Sequence, residues 1–132
     1  MKRILFILVF AFLSGNLRAA YILIPMDESQ HDHLKAYGIA YWVLTKDVEV
    51  DWLLNYRGGS FMIKQSKTIE NECVIRGVSY DIIADVQSTS ILQEIADPEV
   101  NMDVAKLEKA PKVAVYSPNN KQPWDDAVTL VL

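Results

Sequence analysis

The sequence predicts an α/β fold: a three-layer module containing a β-α-β unit, followed by the truncated start of a second α/β unit. Three observations carry that expectation. Apolar, β-rich runs alternate with stretches of helical periodicity, the order that lays helices over a sheet. A strand, a helix and a second strand fall within about 35 residues, the span of a β-α-β crossover, which builds parallel sheets. A last strand and an apolar helix then reach Leu132 with no neighbouring strand for that helix to cover.

Ahead of these elements stands an address. Met1-Lys2-Arg3 is basic, the run from Ile4 to Leu13 is apolar throughout, and Ser14-Gly15-Asn16 leads to the small pair Ala19-Ala20. That order describes a secretory signal peptide over residues 1–20, cleaved near Ala19 or Ala20. The apolar run is too short to cross a bilayer, which takes ~20 residues. The mature chain is therefore expected to be exported, periplasmic or extracellular, where ATP is not at hand. Removing Lys2, Arg3 and Arg18 deepens the net charge from −4 to −7. Such acidity argues against a nucleic-acid partner, and against membrane association beyond the signal peptide. A single cysteine excludes an internal disulfide framework and a multi-cysteine zinc site.

Tyr21-Ile22-Leu23-Ile24, closed by Pro25, reads as a strand buried on both faces. Asp27 with Gln30 three residues on makes a capping box, and Leu34, Tyr37, Gly38, Tyr41 and Leu44 form one helical face, with Lys46 in the last turn. Val48 to Leu54 begins with strict alternation and is the second strand. Gly58-Gly59 separates it from Phe61-Met62-Ile63 and signals a hairpin. Ser66 or Thr68 starts a short helix carrying Ile69, Cys73 and Val74 on one side, which Gly77 ends. Tyr80-Asp81-Ile82-Ile83 is a further strand. A helix capped by Ser88 or Ser90 carries Ile91, Leu92, Ile95 and Ala96 and stops before Pro98. Met102, Val104 and Leu107 give one or two more helical turns. Lys112-Val113-Ala114-Val115-Tyr116-Ser117 is a strand, and Pro123 opens a helix with the stripe Trp124, Ala127, Val128 and Val131. The module thus spans residues 21–110, and the second unit begins at 111–132. The uncapped helix at Leu132 marks an N-terminal fragment of a longer protein, whose remainder is the first expected partner.

Few residues carry chemistry. His31 and His33 lie among Asp27, Glu28 and Asp32, but residues two apart on a helix point in opposite directions, so this reads as a solvated helix start and not a metal site. Arg57, Gly58, Gly59 and Ser60 follow a strand: they make either a hairpin turn or a loop in which the glycines admit a close backbone approach and Arg57 pairs with a carboxylate or phosphate. Ser60 has no base partner that would make it a nucleophile. Asn119, Asn120 and Lys121 occupy a similar place after the later strand, as an exposed polar loop or a second set of contacts to a small polar ligand. Cys73 reads as a core cysteine, and the tryptophans as core or rim aromatics. No catalytic residue, metal ligand or cofactor motif emerges.

Three stretches together resemble the start of an exported bacterial family catalogued as asparagine synthetase B or asparagine synthetase-like. They are Tyr21-Ile22-Leu23-Ile24-Pro25-Met26-Asp27-Glu28, then His33-Leu34-Lys35-Ala36-Tyr37-Gly38-Ile39-Ala40-Tyr41-Trp42, then Trp52-Leu53-Leu54-Asn55-Tyr56-Arg57-Gly58-Gly59-Ser60-Phe61. Lys112-Val113-Ala114-Val115-Tyr116-Ser117-Pro118 and Pro123-Trp124-Asp125-Asp126-Ala127-Val128-Thr129-Leu130 continue the likeness. The resemblance implies a longer protein whose later α/β unit opens a class I glutamine amidotransferase-like fold. By its family name it implies glutamine-dependent amide transfer. The cysteine that begins glutamine-dependent synthetases has no counterpart, since Lys2 stands there, and Phe61 interrupts the pyrophosphate loop after Arg57-Gly58-Gly59-Ser60. The chain is thus expected to be a scaffold or binding module. One alternative is part of an amidotransferase- or amidohydrolase-like enzyme with its catalytic residues beyond Leu132; another is a structural partner-binding protein of the cell envelope.

Overall fold

A computed structural model describes residues 19–114. Its elements are β1 (Ala19–Ile24), α1 (His33–Leu44), β2 (Val50–Leu54), a 3-10 turn (Tyr56–Gly58), β3 (Ser60–Lys64), α2 (Lys67–Arg76), β4 (Asp81–Ala84), α3 (Asp85–Ile95) and β5 (Asp103–Leu107). They build a mixed α/β domain around one five-stranded sheet, ordered β4-β1-β3-β2-β5, in which every neighbouring pair is antiparallel.

The expected parallel β-α-β pairing is corrected. β1 and β2 run in the same direction, but β3 lies between them, pairing Ile22 with Ile63 on one side and Val50 with Ile63 on the other. The reason is local. The tight reversal after Leu54 returns the chain directly alongside β2, and Phe61, Met62 and Ile63 bury both faces of the returning strand. A strand apolar on both faces belongs in the middle of a sheet, whereas Val50-Asp51-Trp52 alternates and sits one place nearer the edge.

Alternation then sorts the core into two layers. Ile22, Ile24, Val50, Phe61 and Ile63 face α1 and α2, while Leu23, Leu53, Met62 and Ile83 face α3 through Ile91, Leu92 and Ile95. Helices therefore cover both faces of the sheet.

α1 differs from expectation at its start and in its face. Its cap is Asp32, whose carboxylate accepts from the Lys35 amide at 3.0 Å, a contact worth ~1 kcal/mol. Gln30 is instead buried: its amide nitrogen donates to the carbonyls of Pro25 (2.9 Å) and Ser79 (3.1 Å), and its oxygen accepts from the Ser79 amide. The buried stripe is Ala36, Ile39, Ala40, Val43 and Leu44, whereas Leu34 is 83% exposed and Tyr37 and Tyr41 are about half exposed. Two alanines let α1 approach the sheet closely, which the tyrosine stripe is too bulky to do. Lys46 lies beyond the end of α1.

α2 follows Ser66 and ends at Gly77, in the left-handed region at φ 69°. Ile69 and Cys73 are buried, but Val74, one step further around the helix, is exposed. α3 starts at Asp85, earlier than expected, and Ser88 sits inside it with its hydroxyl donating to the Asp85 carbonyl at 2.8 Å. Residues 103–107 form a strand and not helical turns, because β2 still offers an unpaired edge and takes Val104 opposite Leu53 and Leu107 opposite Val50.

Residues 112–114 carry no strand. The rest of the expected 112–117 strand, the 123–132 helix and residues 1–18 of the leader lie outside the described residues. β1 takes in Ala19 and Ala20, and Ala19 pairs with Ala84. Among the described residues no helix is long and apolar enough to cross a membrane.

Candidate functional site

Among the described residues, the turn between β2 and β3 holds a run of left-handed backbone, and the exposed side of α1 borders a groove.

In the turn, Asn55 (φ 62°), Arg57 (φ 44°), Gly58 (φ 80°) and Gly59 (φ 95°) all lie in the left-handed region. Two of these are not glycine, so the backbone holds conformational strain there. The Met26 amide donates to the Arg57 carbonyl at 3.0 Å and pulls the turn onto the end of β1. The approach is so close that a Cβ on Gly58 would lie 2.3 Å from the Met26 carbonyl oxygen.

Arg57, Gly58, Gly59 and Ser60 are thus brought together, and each is already engaged. The guanidinium donates through Nε to Asp27 (2.7 Å), through one terminal nitrogen to Asp81 (3.0 Å) and through the other to the Ser29 hydroxyl (3.1 Å). The Ser60 hydroxyl is buried and lies within 2.9 Å of the Tyr56 carbonyl and 3.2 Å of the Arg57 carbonyl. The Gly59 carbonyl accepts from the Trp52 indole at 3.0 Å. Hydrogen bonds from Arg57 and then Ser29 hold the Asp27 carboxyl down at about 2. Chemically, the arrangement is a latch that ties β1, the β2–β3 turn and the start of β4 together. Asp27 reads as a helix cap in the sequence, and nothing there pairs Asp27 or Asp81 with Arg57, because those contacts span 30 and 24 residues. Asn119, Asn120 and Lys121 lie outside the described residues.

His33 starts α1 and its Nε2 lies 3.2 Å from the Asp27 carbonyl. Among the described residues, no group of three or more His, Cys, Asp or Glu side chains is placed to hold a metal ion. Cys73 is fully buried, and burial followed by the nearby Glu72 charge pushes its thiol up to about 11. A thiol so raised is a poor nucleophile.

The second place is a groove of about 250 Å³ with no polar surface. Tyr37, Ala40, Tyr41 and Leu44 of α1 form its wall; Trp52, Phe61 and Leu107 form its floor over β2, β3 and β5. Within it Tyr37 meets Phe61 edge-on, with ring centroids 5.4 Å apart, and Trp52 stacks on Phe61 at 6.0 Å. Tyr41 and Leu44 also border a second hollow whose other side is Lys109, Ala110, Pro111, Lys112 and Val113, so the chain leaves the described residues beside this groove.

The described residues form a small antiparallel α/β domain in which the polar β2–β3 turn is tied to the rest of the fold and an apolar groove opens beside α1. Comparison with protein-family models, curated proteins and solved structures returned no match.

Proposed function

We propose that the chain is the amino-terminal α/β module of an exported protein of the asparagine synthetase B-labelled family that its sequence resembles. It serves as a scaffold on which further structure of the same protein packs, and it has no activity of its own. The observation that supports this reading is the apolar groove: Tyr37 and Tyr41 recur at helical spacing on the outside of α1, beside partly buried Trp52 and Leu107. Apolar side chains grouped around a groove offer a partner surface a place to pack. Export fits the domain, since cleavage after Ala20 leaves Tyr21 to Ile24 with all four of their pairs to β3.

The test is Tyr41→Asp in the full chain, read by urea unfolding, alongside an assay of asparagine formation from aspartate, glutamine and ATP. A covered groove makes the substitution cost more than ~1 kcal/mol, whereas an uncovered surface position costs within ~0.5 kcal/mol. The smaller value refutes the scaffold reading, and asparagine formation by this chain refutes the absence of activity.

A further inference from the structure

We infer that both margins of the sheet are closed to strand addition by the domain's own side chains, and that this closure keeps the chain from pairing edge to edge with copies of itself. The inference goes beyond the scaffold reading and does not use the groove. Among the described residues, β4 and β5 have a neighbouring strand on one side only. Such an edge presents free amides and carbonyls, a template for another strand. Each edge has an amide occupied by a side chain. The Val104 amide donates to the Asp103 carboxylate at 2.7 Å, and the Ala84 amide donates to the Gln87 side-chain oxygen at 2.9 Å. An amide satisfied in this way faces away from the neighbouring strand. Successive residues of a strand turn their amides to alternate sides, so Lys106 shares the outer side of β5 with Val104, and Ile82 that of β4 with Ala84. A strand laid along either margin therefore finds the Lys106 or the Ile82 amide alone, which is too little for a ladder.

The closure is built from local sequence. Asp103 is the first residue of β5, and Gln87 stands in the first turn of α3, so the contact that starts α3 also seals β4. At β5 the side chains add to it. Two copies paired antiparallel about Ala105 would set Val104 against Lys106 and Asp103 against Leu107, a charge against an apolar residue at each step. Lys106 is already paired with Glu49 at 2.8 Å. Asp103 acts twice, as the cap of Val104 and as a charge on the edge, so its removal opens this margin.

Sedimentation velocity of the full chain over a range of concentrations tests this. Asp103→Ala is expected to raise the dimer fraction several-fold over the parent chain, whereas Asp103→Asn, which keeps an acceptor oxygen, stays with the parent. Adding Val104→Pro to Asp103→Ala removes the amide and should restore the parent's behaviour, because proline is tolerated where the N–H side of an edge strand faces solvent. Gln87→Met opens β4 in the same way and serves as the second variant should Asp103→Ala fail to fold by circular dichroism. An Asp103→Ala chain no more associated than the parent would overturn the inference. So would a dimer that survives Val104→Pro, or unfolding caused by Val104→Pro alone, which would show that this amide pairs with β2. Unfolding of both the Asp103 and the Gln87 variants would overturn it in favour of a purely structural role for the two contacts. The urea test of Tyr41→Asp reads the groove and not the margins, so this inference and the scaffold reading can fail separately.

Discussion

Replacing Gly58 with alanine tests whether the β2–β3 turn is held by close approach or merely by left-handed geometry. Two costs separate cleanly in this domain because Gly77 provides the control. Both glycines have positive φ, 80° and 69°, but a Cβ on Gly77 meets nothing within 4 Å, while one on Gly58 would lie 2.3 Å from the Met26 carbonyl oxygen and 2.6 Å from its carbon. Gly77→Ala therefore carries only the conformational cost, ~1–2 kcal/mol for an L-residue in the left-handed region. Gly58→Ala carries that cost and must also push the turn off β1, losing the 3.0 Å hydrogen bond from the Met26 amide to the Arg57 carbonyl, a further ~0.5–1.5 kcal/mol. The sum is about 1.5–3.5 kcal/mol, before any disturbance of the Arg57 contacts. Urea unfolding followed by tryptophan fluorescence suits the measurement, since Trp52 donates to the Gly59 carbonyl and reports on the turn. Equal midpoints and slopes for the two variants would refute the close-approach argument.

Cys73→Ser places a hydroxyl among Ile69 and the sheet in place of a buried thiol, and is expected to cost ~1–3 kcal/mol; iodoacetamide labelling of the native protein would contradict the burial. Acid should loosen the fold. Asp27 is held low by Arg57 and Ser29, Asp32 by the Lys35 amide, and Glu70 by Lys67 and Gln65. Carboxyls depressed in the folded state stabilise it above their unfolded values, near 4, and that stability is lost as pH falls toward about 2. Urea midpoints that stay constant across this window would contradict those contacts, and Arg57→Gln should flatten the decline. Asp51 has the opposite sign: burial raises its pKa despite the attraction of Lys106. Its ionisation therefore opposes folding above that raised value and not below the unfolded one, so Asp51→Asn should stabilise the protein at neutral pH and lose the advantage in acid; a destabilised variant at neutral pH would refute this.

Most strands and helices were legible because local chemistry decides them. Gly58-Gly59 marked the hairpin, Gly77 ended α2, and Pro98 bounded α3, each through a backbone preference that needs no distant partner. What local chemistry does not contain is which strand lies between which. β1, α1 and β2 read as a crossover, and the insertion of β3 follows only from comparing the apolar faces of β2 and β3 with their rank in the sheet. β5 differs from expectation for the same reason: Val104 and Leu107 are three apart, a helical spacing, and an open edge on β2 overrides it.

α1 is where this lesson bears on function. Leu34, Tyr37, Tyr41 and Leu44 form a regular stripe of large apolar residues, and the ordinary inference puts such a stripe in the core. The domain instead buries the smaller set, Ala36, Ile39, Ala40 and Val43, together with Leu44, and leaves the aromatic edge outside. Within the domain α1 packs on the sheet and beside α2, and neither covers the tyrosine edge. The stripe that the sequence advertises and the stripe that this domain buries are therefore different, and the difference leaves Tyr37 and Tyr41 half exposed. Arg57, the residue with the most evident ligand chemistry, directs each of its three nitrogens to a partner within the domain, Asp27, Asp81 and Ser29. On the proposed scaffold reading, packing against α1 and β2 is what Tyr41→Asp tests.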